Sequence, residues 1–144
     1  MQIFKTILGW LLVLGFLGYG LVRIGVGSLL LAQTLGRVDI ADLREVLVEV
    51  ETFIADRADR QLLGFSVAGY FAYIASMGVV LTAGAFGAIF RRGWGFVLIG
   101  IYLLMHAGLF VNFQEINPKL VSLAVTVAMF LLLFWARPHK RSQR

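Results

Sequence analysis

The chain has 144 residues, of which 60% are hydrophobic and 15% charged, and its formal net charge is +5. A soluble domain carries about a quarter charged residues, so this composition indicates an integral membrane protein. The basic excess lies in loops and at the C-terminus beside hydrophobic segments, which is typical of helix orientation in a membrane and not of nucleic-acid binding. The absence of cysteine excludes disulfides, thiolate metal sites and iron–sulfur ligation.

Four apolar segments are long enough to cross a bilayer as helices, which takes roughly 20 residues. They cover residues 3–32, 62–90, 94–113 and 118–136. Asn117 and Pro118 are typical of a helix N-terminus, because a side-chain cap precedes a proline. The predicted fold class is an all-α integral membrane protein, a four-transmembrane-helix bundle. It forms a single domain over residues 1–136, followed by a basic tail at 137–144.

The charged residues outside these spans divide between the two ends of the predicted bundle. One end carries only basic residues, at Lys5, Arg91, Arg92, Arg137, Lys140, Arg141 and Arg144. The other end carries all the carboxylates, at Asp39, Asp42, Glu45, Glu49, Glu51, Asp56, Asp59 and Glu115. Because cytoplasmic loops carry an excess of Lys and Arg, we expect an inner-membrane protein with both termini in the cytoplasm.

The segment 38–60 predicts an extracytoplasmic amphipathic helix between the first two spans. Its apolar residues recur at three- and four-residue spacing, at Ile40, Leu43, Val46, Leu47, Val50, Phe53 and Ile54. Asp39 is the expected N-cap, and Asp56 with Arg60 is an expected ion pair one helical turn apart. The polar face is acidic, so anionic lipid would not hold this helix at the membrane surface. We expect the apolar face to pack against protein, either this chain or a partner.

The first two spans are longer than a bilayer requires. At 1.5 Å per residue, residues 3–32 would make a helix of about 45 Å, whereas the hydrocarbon core is roughly 30 Å thick. We therefore expect both helices to project outward, bridged by the segment 38–60. That arrangement would form a small cap over the two shorter spans.

Polar residues within the spans are expected at one depth, in the outer half of the bilayer. Arg23 lies about 27 Å beyond Lys5 along a straight helix, and His106 lies about 18 Å beyond Trp94. Ionisable residues within spans more often face the bundle interior than lipid. We predict a polar, outward-opening ligand pocket formed by Arg23, His106, Tyr19, Tyr70, Tyr73, Tyr102 and Asn112.

Structural explanations of the same residues stay open. Arg23 could extend to the outer headgroups or pack beneath the cap, and His106 could be a neutral core histidine. No metal site is expected within one chain, because the only other histidine is His139 in the tail. No catalytic residue is predicted, since no carboxylate lies near His106 in the sequence to orient it. The polar loop NFQEINPK is a candidate for the pocket mouth.

The chemistry of the predicted pocket suits an anionic or hydrogen-bonding ligand. Arg23 could counter a lipid headgroup, a small carboxylate or a sulfur oxyanion. The tyrosines together with Arg23 would also suit the headgroup of a quinone. No Asp or Glu lies inside the spans, which disfavours a proton-coupled carrier.

The stretch LVRIGVGSLLLAQTLGR, residues 21–37, resembles the first-helix pattern of DoxX-like membrane proteins. In that pattern an Arg precedes spaced glycines, apolar residues and a closing Gly with Lys or Arg. The stretches GAIFRRGWGFVLIGIYLLMHAGLF and NPKLVSLAVTVAMFLLLF are similar to the later helices of that family. The resemblance implies a four-helix inner-membrane protein linked to sulfur-compound oxidation by quinone reduction or to redox complexes. The apolar extension before Arg23 and the insertion at 38–60 depart from the pattern.

Two functions stay open on these residues. The first is an accessory or assembly subunit of a membrane complex, docking through the segment 38–60 and the fourth span. The resemblance adds a redox link to that function. The alternative is a membrane protein that binds a small molecule, lipid or quinone in the polar pocket, as a transporter or an oxidoreductase subunit. The expected partners are the bilayer and other membrane subunits or a second copy.

Overall fold

Five helices make up the chain in a computed structural model that describes residues 1–116 and 118–137, apart from the side chain of Lys119. They are α1 (Gln2–Thr34), α2 (Ala41–Ala55), α3 (Val67–Ile89), α4 (Gly93–Phe113) and α5 (Lys119–Ala136). No strand occurs in the described ranges, so the prediction of an all-helical protein is confirmed. The predicted cap at Asn117 and the tail residues 138–144, including His139, lie outside them.

The helices α1, α3 and α4 are each long and apolar enough to cross a membrane. α1 has 33 residues, α3 has 23 and α4 has 21. α5 is also apolar but has only 18 residues, which span about 27 Å. The lengths and composition of the three long helices support a membrane protein.

Two helices begin later than the sequence predicts, for identifiable local reasons. α3 begins at Val67 and not at residue 62, because the Ser66 hydroxyl accepts a hydrogen bond of 3.0 Å from the Gly69 amide. α2 begins after Ile40, without a side-chain cap, so the predicted capping role of Asp39 is wrong. Asp39 instead accepts a hydrogen bond of 2.9 Å from Arg44 Nε.

The C-terminal ends of α1 and α2 have different geometries. α1 ends in a Schellman turn, in which the Gly36 amide donates to the Gln33 carbonyl and the Arg37 amide donates to the Ala32 carbonyl. Gly36 has a positive φ of 67°, which favours glycine. α2 ends at Ala55, before the predicted boundary at residue 60, and turns follow it. Asp56 and Arg60 therefore do not form the expected helical ion pair.

Close backbone approaches hold the long helices together. A Cβ on Gly78 of α3 would lie only 2.7 Å from the Ile24 amide nitrogen of α1. A Cβ on Gly84 of α3 would similarly lie 2.9 Å from the Ile99 nitrogen of α4. Small residues thus let α3 pack directly against the backbones of both neighbours. The main core has members on α1, α3, α4 and α5: Leu12, Val13, Phe16, Met77, Leu81, Ala85, Ala88, Phe96, Ile99, Tyr102 and Leu133.

Basic and aromatic residues meet at one end of the bundle. Lys5 of α1 lies 4.2 Å from the ring centroid of Trp135 near the end of α5. Arg137 lies 4.1 Å from the Trp10 ring and donates a hydrogen bond of 3.0 Å to the Ile89 carbonyl of α3. The start of α1 and the ends of α3 and α5 therefore share this basic end. α2 lies at the opposite end, with the carboxylates.

Candidate ligand-binding cavity

A cavity of about 230 Å³ lies among α1, α3 and α4 at the end of the bundle that α2 covers. Four polar residues line it: Arg23, Tyr70, His106 and Glu115. Its apolar walls come from Phe53, Ile74, Leu109, Phe110 and Phe113. Three of the predicted pocket residues, Arg23, Tyr70 and His106, thus face one shared space.

Arg23 is the charged group of the cavity whose hydrogen-bonding capacity is least used. Its Nη2 donates a hydrogen bond of 2.9 Å to the Tyr19 hydroxyl, and its Nη1 lies 3.8 Å from the weak acceptor Met77 Sδ. Its Nε is buried without a hydrogen-bond partner. The ion pairs found in the described parts of the chain, Arg44 with Asp39 and Arg57 with Glu115, do not include it. A guanidinium has five N–H donors, so Arg23 retains donors for a ligand.

A buried tyrosine of α4 lies between Arg23 and His106, behind the lining of the cavity. The Tyr102 ring lies 5.5 Å from the Arg23 guanidinium carbon, within the range of a cation–π contact. The Tyr102 hydroxyl is 3.4 Å from His106 Nδ1. His106 is 6% exposed, and its ring lies against Phe110. Since Nδ1 faces Tyr102, Nε2 is the ring nitrogen that a ligand in the cavity could contact.

Phenylalanine rings and an ion pair close the cavity beneath α2. Phe53 of α2 packs edge-on against Phe113 of α4, with 5.0 Å between ring centroids. Arg57, just beyond α2, lies over the Phe53 ring at 4.0 Å and donates two hydrogen bonds to the Glu115 carboxylate. Those hydrogen bonds raise the pKa of Arg57 above its ordinary value. The end of α2 is thereby joined to the residues that follow α4.

The remaining predicted pocket residues make other contacts. Tyr19 and Tyr102 touch Arg23 but do not line the cavity. Tyr73 donates a hydrogen bond of 2.9 Å to the Met105 carbonyl, which joins α3 to α4. Asn112 accepts from the Leu63 amide at 2.7 Å and donates to the Leu63 carbonyl at 3.1 Å. Asn112 therefore fixes the loop before α3.

Sequence reasoning missed the parts of the cavity that depend on long-range contacts. Phe53 was expected only as part of an apolar face, and Glu115 only through the polar loop NFQEINPK. The partner of Glu115 is Arg57, 58 positions away in the chain. No periodic pattern connects two positions so far apart. Helical spacing from Glu115 does lead back to Val111 and Asn112, but it gives no information about α2.

The chemistry that this arrangement supports is binding of a polar or anionic group beside apolar walls. Arg23 supplies positive charge and hydrogen-bond donors, while His106 and Tyr70 supply polar ring atoms. The one carboxylate on the cavity wall, Glu115, is already paired with Arg57. Across the described residues, no three His, Cys, Asp or Glu side chains are grouped to hold a metal ion.

Comparisons with protein-family models, with curated proteins and with solved structures find no match to this chain.

Proposed function

We propose that the protein spans a cell inner membrane four times, with both termini in the cytoplasm and α2 on the outer side. The end that carries Lys5 and Arg137 pairs these cations with Trp135 and Trp10, and aromatic residues are enriched at membrane interfaces. An excess of basic residues favours the cytoplasmic side for that end. In this topology α5 is the fourth span, and Arg23 lies near the outer edge of the hydrocarbon.

The topology can be tested with single cysteines, because the natural chain has none. Val48 is an exposed residue of α2, and Gln2 is an exposed residue at the start of α1. The reagent is a maleimide that passes the permeabilised outer envelope of the cells but does not cross the intact inner membrane. It should label Val48→Cys and should not label Gln2→Cys. Permeabilised cells provide the control, in which both positions should react. If only Gln2→Cys is labelled in intact cells, the orientation is opposite to the proposed one.

Within this topology, we propose that the protein binds a small ligand whose anionic or hydrogen-bond-accepting head contacts Arg23. The observation that carries this function is that Arg23 lines the cavity with a buried Nε and no carboxylate partner. A buried donor left unpaired costs about 1–3 kcal/mol, and a charged group costs more. A ligand acceptor in the cavity would offset that cost by pairing with the remaining Nη donors of the same guanidinium. Lipid headgroups, quinones, carboxylates and sulfur oxyanions all carry suitable acceptors.

The walls of the cavity favour a ligand with an apolar portion beside its polar head. Phe53, Phe110 and Phe113 supply aromatic surface on one side, and Ile74 and Leu109 supply aliphatic surface. Ligand sites are commonly apolar clefts in which a few polar groups fix the orientation. A small inorganic ion would lose its hydration shell against these apolar walls, which is unfavourable. A partly apolar molecule therefore fits the cavity better.

The binding function is tested by identifying what the purified protein retains. Protein isolated in mild detergent is extracted with organic solvent, and the released compounds are quantified by mass spectrometry per mole of protein. Loss of a charge-assisted hydrogen bond, worth about 1.5–3 kcal/mol, should lower the affinity for a retained ligand by about 10- to 150-fold in Arg23→Met and reduce the amount retained. Arg44→Gln is the control, because Arg44 is exposed and paired with Asp39. Equal retention in both variants would contradict the proposal.

An accessory or assembly role in a membrane complex is a second candidate. It is favoured by apolar side chains exposed at the α2 end: Val48 at 59%, Leu62 at 62%, Leu63 at 72% and Ile116 at 93%. A contiguous patch of exposed apolar side chains is typical of a contact surface, and these four residues are its candidate members. Stoichiometric copurification of a partner that is lost in Leu63→Ser but kept in Ala58→Ser would support this role. A free chain in both preparations would argue against it.

A distant relation to DoxX-like proteins, and with it a quinone-linked role, is also a proposal. The Schellman turn at Gly36 and Arg37 supports it, because the resemblance includes a closing Gly with Lys or Arg at this position. The contact between Arg23 and the cavity supports a binding role for the Arg of the same pattern. Identification of a quinone among the retained compounds would favour this role over a purely structural one.

A further inference from the structure

A second, apolar groove adjoins the cavity on the outer surface of the bundle. It has a volume of about 320 Å³ and runs between α1, α2 and α3. Its α1 side extends from Tyr19 to Leu30, which is about 17 Å along the helix axis. Val46 and Val50 of α2 line its α2 side. The groove is therefore a long, open and mostly apolar depression that α2 borders.

The groove and the cavity share part of their walls. Arg23, Tyr70 and Ile74 line both. Arg23 is the charged residue of the groove, and the polar groups His106 and Glu115 lie on the cavity side. Since Arg23 lines both spaces, a molecule whose head contacts Arg23 would meet charge there and apolar side chains along the groove. That distribution matches an amphiphile.

The exposure of α1 indicates where the apolar part of such a molecule comes from. Val22 and Val26 line the groove and are 60% and 50% exposed. In the proposed topology these positions border lipid and not water. A chain in the groove would therefore remain next to the bilayer. A lipid could insert one chain while its second chain stays among its neighbours.

The charge of the site favours an anionic head over a neutral one. Arg23 has no carboxylate within ion-pair distance in the described residues, and Glu115 is held by Arg57. Arg23 also lies about 27 Å from the level of Lys5, close to where the phosphates of the opposite leaflet begin. Phosphate oxygens accept charge-assisted hydrogen bonds from a guanidinium. Both depth and charge fit a lipid phosphate.

We infer that the ligand is an anionic phospholipid of the leaflet on the α2 side, with its phosphate at Arg23 and one acyl chain in the groove. This inference rests on the proposed binding function and adds the class of ligand. It assigns separate roles to the two spaces, since the cavity holds the head and the groove holds the chain. The head contributes specificity for charge, and the chain contributes affinity through apolar burial.

The experiment is a lipid titration of the detergent-purified chain followed by native mass spectrometry. Dioleoylphosphatidylglycerol is the anionic probe, dioleoylphosphatidylcholine the zwitterionic probe, and glycerol 3-phosphate a head without chains. The wild type should bind phosphatidylglycerol about tenfold more tightly than phosphatidylcholine. Arg23→Met should remove that preference, whereas Arg23→Lys, which keeps the charge, should retain part of it. Equal binding of both lipids by the wild type would overturn the inference.

A variant that fills the groove tests the contribution of the acyl chain to binding separately from that of the head. Val26→Trp places an indole in the groove and should weaken phosphatidylglycerol binding about tenfold. Val79→Trp is the matched control, because Val79 of α3 is also exposed but does not line the groove. If Val26→Trp binds phosphatidylglycerol like the wild type, the acyl chain does not lie in the groove and the inference fails. If Arg23→Met then still loses binding of glycerol 3-phosphate, the proposed binding of the head at Arg23 is supported. If neither variant changes any binding, the inference and the proposed function both fail.

Discussion

Arg57 and Glu115 form a two-pronged ion pair over the cavity, with Nη2 to Oε1 at 2.8 Å and Nε to Oε2 at 3.0 Å. This contact joins the turn after α2 to the residues that follow α4. Arg57 also donates from Nη1 to the Phe53 carbonyl and lies over the Phe53 ring. This ion pair and the aromatic ring beside it are therefore among the contacts that hold the end of α2 over the cavity, together with the buried Ile54.

Glu115→Gln should loosen the end of α2 without unfolding the bundle. The ion pair is partly exposed and contributes little to global stability, so local opening should become a few-fold more frequent. Hydrogen exchange of the backbone amides at residues 53–62 measures this opening. Arg44→Gln removes the ion pair with Asp39 at the far end of α2 and should leave those amides unchanged. Unaltered exchange in Glu115→Gln would contradict the structural role of the pair.

Asn112→Leu should release the loop before α3. The substitution removes both side-chain hydrogen bonds to Leu63 and leaves a loop amide and carbonyl without those partners. The expected cost is about 1–3 kcal/mol of stability. Limited proteolysis near residues 61–66 should become faster, while the ligand retained by the protein should stay the same. If the variant loses the ligand while proteolysis of the loop is unchanged, Asn112 contacts the ligand, as the sequence predicted.

Gly78→Val should separate α1 from α3. Its side chain would overlap the Ile24 backbone, and overpacking of this kind costs about 1–3 kcal/mol. Gly25→Val on α1 is the matched control, since nothing lies within 4 Å of a Cβ there. The thermal midpoint in detergent should fall for the first variant and change little for the second. Equal midpoints would show that close contact at Gly78 does not stabilise the bundle.

The stability of the connection between α1 and α2 should depend on pH through the ionisation of the Asp39 carboxyl group. Hydrogen bonds and charge from Arg44 lower the pKa of Asp39 below its ordinary value of 3.8. Its contribution to stability is therefore present above pH 3.8 and is lost as the pH falls through the lower folded-state pKa. A carboxyl NMR titration should show the Asp39 midpoint rising toward 3.8 in Arg44→Gln and not in Arg57→Gln. The same midpoint in all three proteins would contradict this assignment.

Hydrophobic runs and helical rise predicted much of this architecture. The apolar segments coincide with helices to within about five residues at each end, because a backbone surrounded by hydrocarbon must satisfy its hydrogen bonds within the helix. The rise of 1.5 Å per residue places both Arg23 and His106 in the half of the bundle nearer to α2. Their lining of one cavity depends in addition on helix rotation, which the close approaches at Gly78 and Gly84 fix.

Contacts between distant loop residues could not be predicted in the same way. Asn112 satisfies the backbone of Leu63, 49 positions away, and that pairing exists only after α3 and α4 have packed. Asp39 was expected to cap α2, but Arg44 offers it a charge-assisted bond that competes with capping. Sequence patterns report local periodicity, whereas these side chains respond to three-dimensional neighbours.

A density map of the protein purified with its native lipids tests the central claim most directly. The account predicts density for a bound molecule in the cavity among α1, α3 and α4, with an acceptor atom within hydrogen-bonding distance of Arg23. A map in which a carboxylate of this chain pairs with Arg23, or in which Arg23 and His106 face lipid on opposite sides of the bundle, would contradict it.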